Sequence, residues 1–499
     1  MTVRADGRPP GEREPGAAPP PARQRLHPLT FVVGATRELL ALLGAGAAGL
    51  LVGGLSTAFY FTLVGLAFGL VFHVTTWATF TYSVGEERVE LRRALIGRTV
   101  TSIPRDRVRG VDVSATLGHR LLGLAVVRID AGADGGEGEL NAVSRREADR
   151  LRRVLLARAP VDAAAAPPAR AVLARMRRRW FLYAPLSGAY LFTPFALAGS
   201  VLGFLYNLGD DLGLVTRDRV ARLGHDVAGL PSAAVVAAAV ALLLAMPIGS
   251  VIVFTLFNWD FTVTERDGSL VAERGLVTRR SVALERRRVR GVELTDNPFE
   301  RAARVARVGA LVTGLGDAAH RGRLLPAAPR AYAAAVAAAV VGPVPGPLVP
   351  HPPAARVRRI VRAAAPPLAV GAVAAAVGQG RVAVLCAVLT VLAVPLGLDR
   401  YRQLGHAADA HRFTLRSGSL LRRQVVVDRG AVVGWRVRQS LLQRRVGLAT
   451  LDAAVGAGEG GYAGLDMAAP DAVAFAAGIT PAWVEPFLEP VPRAAGRGG

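Results

Sequence analysis

The stretch RDRVRGVDV, Arg105–Val113, decides how the chain is read, because RRRVRGVEL, Arg286–Leu294, repeats its pattern 181 positions later. Laying Phe80–Val111 over Phe261–Val292 at that offset needs no gap and gives 11 identities in 32 positions. A further shift of 143 brings in a third copy: Gly275 meets Gly418, Arg279-Arg280 meets Arg422-Arg423, and Gly291 meets Gly434. A repeat of this kind sets the architecture before any local reading.

Each copy alternates apolar and polar residues with period two, as half-buried antiparallel strands do. The first carries Phe80, Tyr82 and Val84, then Val89 and Leu91, then Val100 and Ile103, then Val108 and Val111. The second carries Phe261 and Val263, Leu270 and Ala272, Val282 and Leu284, Val289 and Val292, with Asp267-Gly268 as a hairpin signal. A helix closes each copy. Ser144 to Glu147 forms a capping box ahead of the apolar face Ala148, Leu151, Val154 and Leu155. The second copy ends in Tyr332–Val341, and the third in Ala472–Ala477 and Pro481–Leu488. The expected unit is a small antiparallel barrel, or a pair of sheets, with a C-terminal helix packed on it.

Between the copies the chain is apolar. Hydrophobic residues make up 52% of it and mean hydropathy is +0.34, yet the formal charge is +23. Together these fit a membrane protein with basic soluble parts. Every basic residue is Arg, which codon bias explains more readily than specific anion sites. Leu39–Thr79 holds no Asp, Glu or Arg and suits two spans with a turn near Gly53–Thr57. Phe181–Leu205 and Ala233–Phe257 predict two more, and Ala363–Leu398, broken only by Gln379-Gly380-Arg381, a short hairpin of two. Arg23, Arg25 and Arg37, the run Arg175–Trp180, the run Arg356–Arg362, and Arg400 and Arg402 flank the spans on one side. The loop Tyr206–Pro231 balances three Arg with four Asp. By the positive-inside rule the soluble parts and both termini are cytoplasmic.

The expected layout is a disordered Pro/Arg-rich tail over 1–27, two transmembrane helices over 38–79 and the first soluble domain over 80–158. Two more helices follow over 181–257, with an outside loop at 206–231, and then the second domain over 259–342. The last pair lies over 363–398, the third domain over 401–488 and a tail over 489–499. The fold class is an α-helical membrane protein of about six spans with three small β-barrel-plus-helix soluble domains.

Each copy resembles the bacterial pleckstrin-homology-like (PH) domain, of the kind repeated in YdbT-like membrane proteins. Two Arg, then spaced apolar residues and Gly, carry the likeness: Arg279-Arg280, Leu284, Val289 and Gly291 in the second copy. Arg98, Ile103, Val108 and Gly110 match in the first, and Arg422-Arg423, Val427, Val432 and Gly434 in the third. A later Gly-Leu (Gly123-Leu124, Gly447-Leu448) and the opening Arg25-Leu26-His27-Pro28 add to it. The second copy departs, with Asn297-Pro298-Phe299 and no Gly-Leu, and the third copy's first strand, Leu404–Ala407, is poor. The resemblance implies a seven-stranded bent barrel capped by one helix, and no catalytic activity.

The residues point the same way on chemistry. The eight His are scattered, without a metal-ligand spacing. The one Cys, Cys386, lies in an apolar run, which excludes a disulfide framework within the chain. GADGGEG (Gly132–Gly138) and GAGEGG (Gly456–Gly461) read as hairpin tips, since neither opens a helix with a following Lys or Ser/Thr. No enzyme activity and no cofactor are expected. Arg105, Arg107 and Arg109 alternate, as do Arg286, Arg288 and Arg290, so on a strand each set would line one face. Those six are the candidate contacts for an anionic surface, either lipid headgroups or an acidic partner. Expected partners are the lipid bilayer, anionic lipids and another membrane protein of the same family. Nucleic acid is not expected, because aromatics are only 6% and stacking platforms are scarce. The functional expectation is protein assembly or membrane-surface contact, including envelope-stress defence. The alternative is a transporter or channel component regulated by the domains.

Overall fold

The computed structural model describes residues 24–29, 57–93, 99–108, 110–131, 137–156, 171–211, 229, 231–266, 268–313 and 322–488. Most of both expected tails, the first expected span and most of the loop 206–231 lie outside these residues.

The first unit runs β1 (Gln24–Arg25), the long helix α1 (Thr57–Thr79), β2 (Thr81–Val84), β3 (Arg88–Arg93), β4 (Thr99–Pro104), β5 (Gly110–Ala115), the short helix α2 (Leu117–Leu121), β6 (Leu124–Asp130), β7 (Glu137–Ser144) and the closing helix α3 (Arg145–Leu156). The second repeats this order. It has β8 (Ala171–Arg175), long helices α4 (Gly188–Asp211) and α5 (Ser232–Asn258), β9 (Thr262–Arg266), β10 (Ser269–Arg274), β11 (Arg279–Glu285), β12 (Val289–Asp296), α6 (Pro298–Ala302), β13 (Val305–Val312), β14 (Arg323–Pro329) and α7 (Arg330–Val341). The third has long helices α8 (Pro353–Ala376) and α9 (Gly380–Arg402), β15 (Gly405–Ala408), β16 (Arg412–Ser417), β17 (Arg422–Asp428), β18 (Val432–Arg438), α10 (Leu441–Arg445), β19 (Leu448–Val455), β20 (Gly461–Ala468), α11 (Ala469–Ile479) and α12 (Pro481–Val484).

The first strand of a unit precedes its long helices, and the sequence reading left it out. β1 pairs with β2, and β8 with β9. In the third unit a single bridge, Val349 to His406, takes that place. The second copy's missing Gly-Leu also resolves. Gly123 and Gly447 end their short helices with φ of +70° and +68°, and Arg304 holds the same position at +54°. An arginine there carries the cost of a left-handed backbone that glycine avoids.

The sheets do not stop at unit boundaries. β5 pairs with β11, giving the order β7-β6-β5-β11-β10-β9-β8, and β12 pairs with β17, giving β14-β13-β12-β17-β16-β15. The two junctions share one register: Gly110 faces Leu284, and Gly291 faces Val427. The sequence explains why. β11 buries Val282, Ala283 and Leu284 in succession, and β17 buries Val425, Val426 and Val427. A strand covered on both faces reads as such a continuous apolar run. β4, at the same place in its unit, has Thr101, Ser102 and Ile103 and buries only Ile103 among them.

Among the described residues, five helices are long and apolar enough to cross a membrane: 59–79, 188–210, 232–258, 353–376 and 380–402. The expected third span is corrected at its start. Arg178–Leu186 forms a 3-10 stretch, not the head of a long helix, and α4 begins at Gly188. Trp180, Phe181 and Ala184 are buried in the second unit's core beside Phe261, Leu270 and Val336, so they serve the barrel.

Candidate functional site: the arginine turns and the cleft beyond them

Arg105, Arg107, Arg286 and Arg288 lie on turns and not on a strand face, while Arg290 lies in β12. Arg105–Arg107 and Arg286–Arg288 each form one 3-10 turn that carries the chain from a strand of one sheet to a strand of the next. Arg109 lies outside the described residues. The turn is a packing necessity. Ile103 and Val108 are both buried, as are Leu284 and Val289. They are five residues apart, and an unbroken strand would send them to opposite faces.

The first arginine of each turn reaches the end of the closing helix. Arg105 donates to the Val154 carbonyl and, at 2.9 Å, to that of Glu86. Arg286 donates to the carbonyls of Ala339 and Val340, each at 3.4 Å, and pairs with Glu265 at 2.5 Å. In the third unit Arg429, at the matching position, donates to the Gly478 carbonyl at 2.9 Å. The last turn of a helix leaves carbonyls without intrahelical partners, and a cation there is favoured. Arg288 pairs with Glu285 at 2.7 Å and donates to the Asp106 carbonyl at 3.0 Å, tying the second unit to the first unit's turn. Arg107 and Arg290 remain exposed.

At the second turn the chain leaves an open cleft of about 860 Å³ between units two and three. Arg286, Arg287, Arg290 and Arg412 line it, with Glu285, Asp428 and the C-terminal end of α7. Four guanidiniums face two carboxylates, so the lining is net positive. Its floor lies far from the long helices. β10 ends at the foot of α5, where Gly275 N donates to the Trp259 carbonyl at 2.9 Å. The seven-residue β11 leads away from that foot, and at ~3.3 Å per residue it puts the turn about 20 Å off.

The opposite end of the units is fastened to the helices. Asp296 is buried between Arg330 at 2.9 Å, Arg301 at 3.5 Å and Arg422. Arg301 and Ser419 then hold Asp399, on α9, at 3.0 and 2.6 Å. Asp466, fully buried in β20, pairs with Arg358 at 3.1 Å and Arg359 at 2.6 Å on α8, and accepts from Gln443 at 2.7 Å. Apart from Arg301, five residues from Asp296, these partners are distant in sequence, so no local motif marks these sites.

His351 and His406 are buried with ring nitrogens 3.2 Å apart. Burial, and then the neighbouring imidazole, push His351 down to about 4, and burial pushes His406 down too. Both therefore stay neutral in the folded chain at neutral pH. The unfolded chain takes up these protons near pH 6.5. Stability present above about pH 6.5 is thus lost as pH falls from there towards about 4. For His351 alone this amounts to about 3 kcal/mol. Melting temperatures measured across that window should fall, and less steeply in His351→Phe. Equal slopes would contradict the neutral pair. Among the described residues no three of His, Cys, Asp and Glu stand together as a metal ion needs.

The sequence model of one family, described as bacterial PH domain, matches residues 32–159, 217–344 and 345–478. Comparison with curated proteins and with solved structures gives no match. The third matched segment takes in both of its unit's long helices, the first takes in α1, and the second takes in α5 but begins after α4. The chain belongs to the bacterial PH domain family, with three copies of the domain in series.

Proposed function

We propose that this is a non-enzymatic multi-pass protein of the cell membrane whose PH domains form one cytoplasmic platform for protein assembly. The observation that carries it is the fusion of the three units, through shared sheets, above a set of long helices whose apolar surface has no cover. Leu243, Leu244, Val384 and Val391 are each about two-thirds exposed. In water such a surface is a liability, and in a bilayer it is the ordinary state. The arginine flanks support a cytoplasmic position for the platform, by the positive-inside rule.

A second feature favours membrane contact by the units themselves. Exposed apolar residues collect at their helix-side ends: Leu121, Leu276, Phe299, Leu420, Leu441 and Leu442. α2 is held there by Arg120 donating to the Leu276 carbonyl, and α6 by Asn297 donating to the Leu186 carbonyl. These tips sit where the interfacial layer of a bilayer would be. The arginine turns, about 20 Å away along the strands, are proposed to meet acidic protein segments at the cleft, not headgroups.

Vesicles holding the full chain test both parts. A fluorophore on Leu442→Cys should be quenched by lipid-borne quenchers, and one on Arg287→Cys should not. Equal quenching would sink the placement. Solute flux through the same vesicles would instead support a transporter.

A further inference from the structure

Among the eight sheet-edge strands of the described residues, two, β4 and β18, occupy the positions that join one unit to the next elsewhere in the chain. Each junction joins the strand after one unit's 3-10 turn to the strand before the turn of the next, β5 to β11 and β12 to β17. The series therefore ends with β18 of the third unit open at one end and β4 of the first unit open at the other: β4 pairs only with β3, and β18 only with β19. We propose that β18 of one copy pairs with β4 of a second copy of this chain, continuing the junction between molecules.

The open edges look like halves of that junction. Ala283 and Val426 are fully buried in β11 and β17, whereas Ser102, their counterpart in β4, is exposed. Leu294 in β12 is 7% exposed, whereas Val437, its counterpart in β18, is 46% exposed. Gly291 is where β12 meets β17 most closely, since a β-carbon there would strike the Val426 carbonyl oxygen and stand 3.1 Å from Val427 Cα. Gly434 occupies the same position in β18, and a β-carbon there meets nothing within 4 Å. The chain thus keeps the bare backbone of a junction where its own strands supply no neighbour.

Of the features that usually block edge pairing, Pro104 ends β4 one position beyond the proposed pairing, and β18 carries a bulge and two arginines. The irregularity between Val432 and Gly434 also occurs between Val289 and Gly291, in a strand that pairs on both sides. Thr99 to Ile103 carries no charge and no proline. Arg436 and Arg438 are held by Asp452.

The shared register extends to a specific pairing. Gly434 would face Ile103, Trp435 Ser102, Arg436 Thr101, Val437 Val100 and Arg438 Thr99. Such an interface is heterologous, so it makes a closed ring if the rotation closes and an open row if it does not. Five residue pairs give little affinity in dilute solution, but confinement to one membrane raises the effective concentration. The proposal deepens the assembly reading and names its partner. It rests on that reading only for the shared membrane plane.

The test uses full-length chains with Cys386→Ala as background. Val100→Cys and Val437→Cys proteins are oxidised in vesicles, separately and mixed. Facing positions in an antiparallel pair are close enough for a disulfide. The mixture should give a dimeric adduct and neither protein alone should, while the double variant gives a ladder. Within one chain, Leu294→Cys with Gln424→Cys spans the matching internal position and serves as the positive control. Gly434→Ala should abolish the mixed adduct without lowering the melting temperature. An unreacted mixture beside a reacted control would overturn the proposal. So would Val437→Cys cross-linking to itself as readily as in the mixture. Either failure leaves the membrane reading standing, because that depends on the fluorophore test.

Discussion

Gly291→Val lowers stability by about 3 kcal/mol or more and loosens the third unit from the second, whereas Gly434→Val costs little in the isolated chain. The two glycines are equivalent in the repeat and differ only in what stands beside them. At Gly291 the obstacle is backbone, the Val426 carbonyl and Val427 Cα, with Leu311 Cδ1 at 3.1 Å. Backbone in a paired strand cannot rotate aside, so the new side chain must push β12 from β17. Overpacking of this kind costs ~1–3 kcal/mol where side chains can yield, and more where they cannot. At Gly434 valine would enter open space, and surface changes stay within about 0.5 kcal/mol. Thermal melts of the two variants, with limited proteolysis between units two and three, check the contrast. Equal effects would show that the β12–β17 junction is not what makes Gly291 necessary.

Asp466→Asn has the second large effect, about 3–5 kcal/mol. Asp466 is buried, and it holds Arg358 and Arg359 at the foot of α8. Those two side chains are themselves only 15% and 13% exposed. Asparagine can still accept from Gln443, but it leaves two desolvated guanidiniums without a counter-charge. Removing one partner of a buried ion pair costs more than the pair contributes, because the remaining charge stays buried. The melt should drop, and α8 should become accessible to trypsin at Arg358 and Arg359 before the rest of the chain. An unchanged digestion pattern would mean that the foot of α8 is held by its apolar contacts alone.

Much of the fold was legible because the repeat and the apolar runs are local signals. The alternation from Phe261 to Leu284 gives the strands, and the charge-free runs give the long helices. The arginine stripe misled, since R-x-R-V-R-G-V also satisfies period two. The odd spacing of Ile103 and Val108 already demanded a break in the alternation between them, and that break is the turn carrying Arg105 and Arg107. The shared sheets had a signal too. Val-Ala-Leu at 282–284 and Val-Val-Val at 425–427 are central-strand text, and Thr-Ser-Ile at 101–103 is not. Asp296, Asp466 and the His351–His406 pair had none, because most of the partners lie far away in sequence, as Arg422, Arg358 and His406 do.

Backbone hydrogen exchange, read strand by strand on the full chain in dilute detergent, tests the fused platform most directly. If the units share sheets, the amides of β11 and β17 exchange as slowly as those of β10 and β16, while β4 exchanges fast along its open edge. If β11 and β17 exchange as fast as β4, the three domains are separate barrels on a common set of helices, and the platform does not exist.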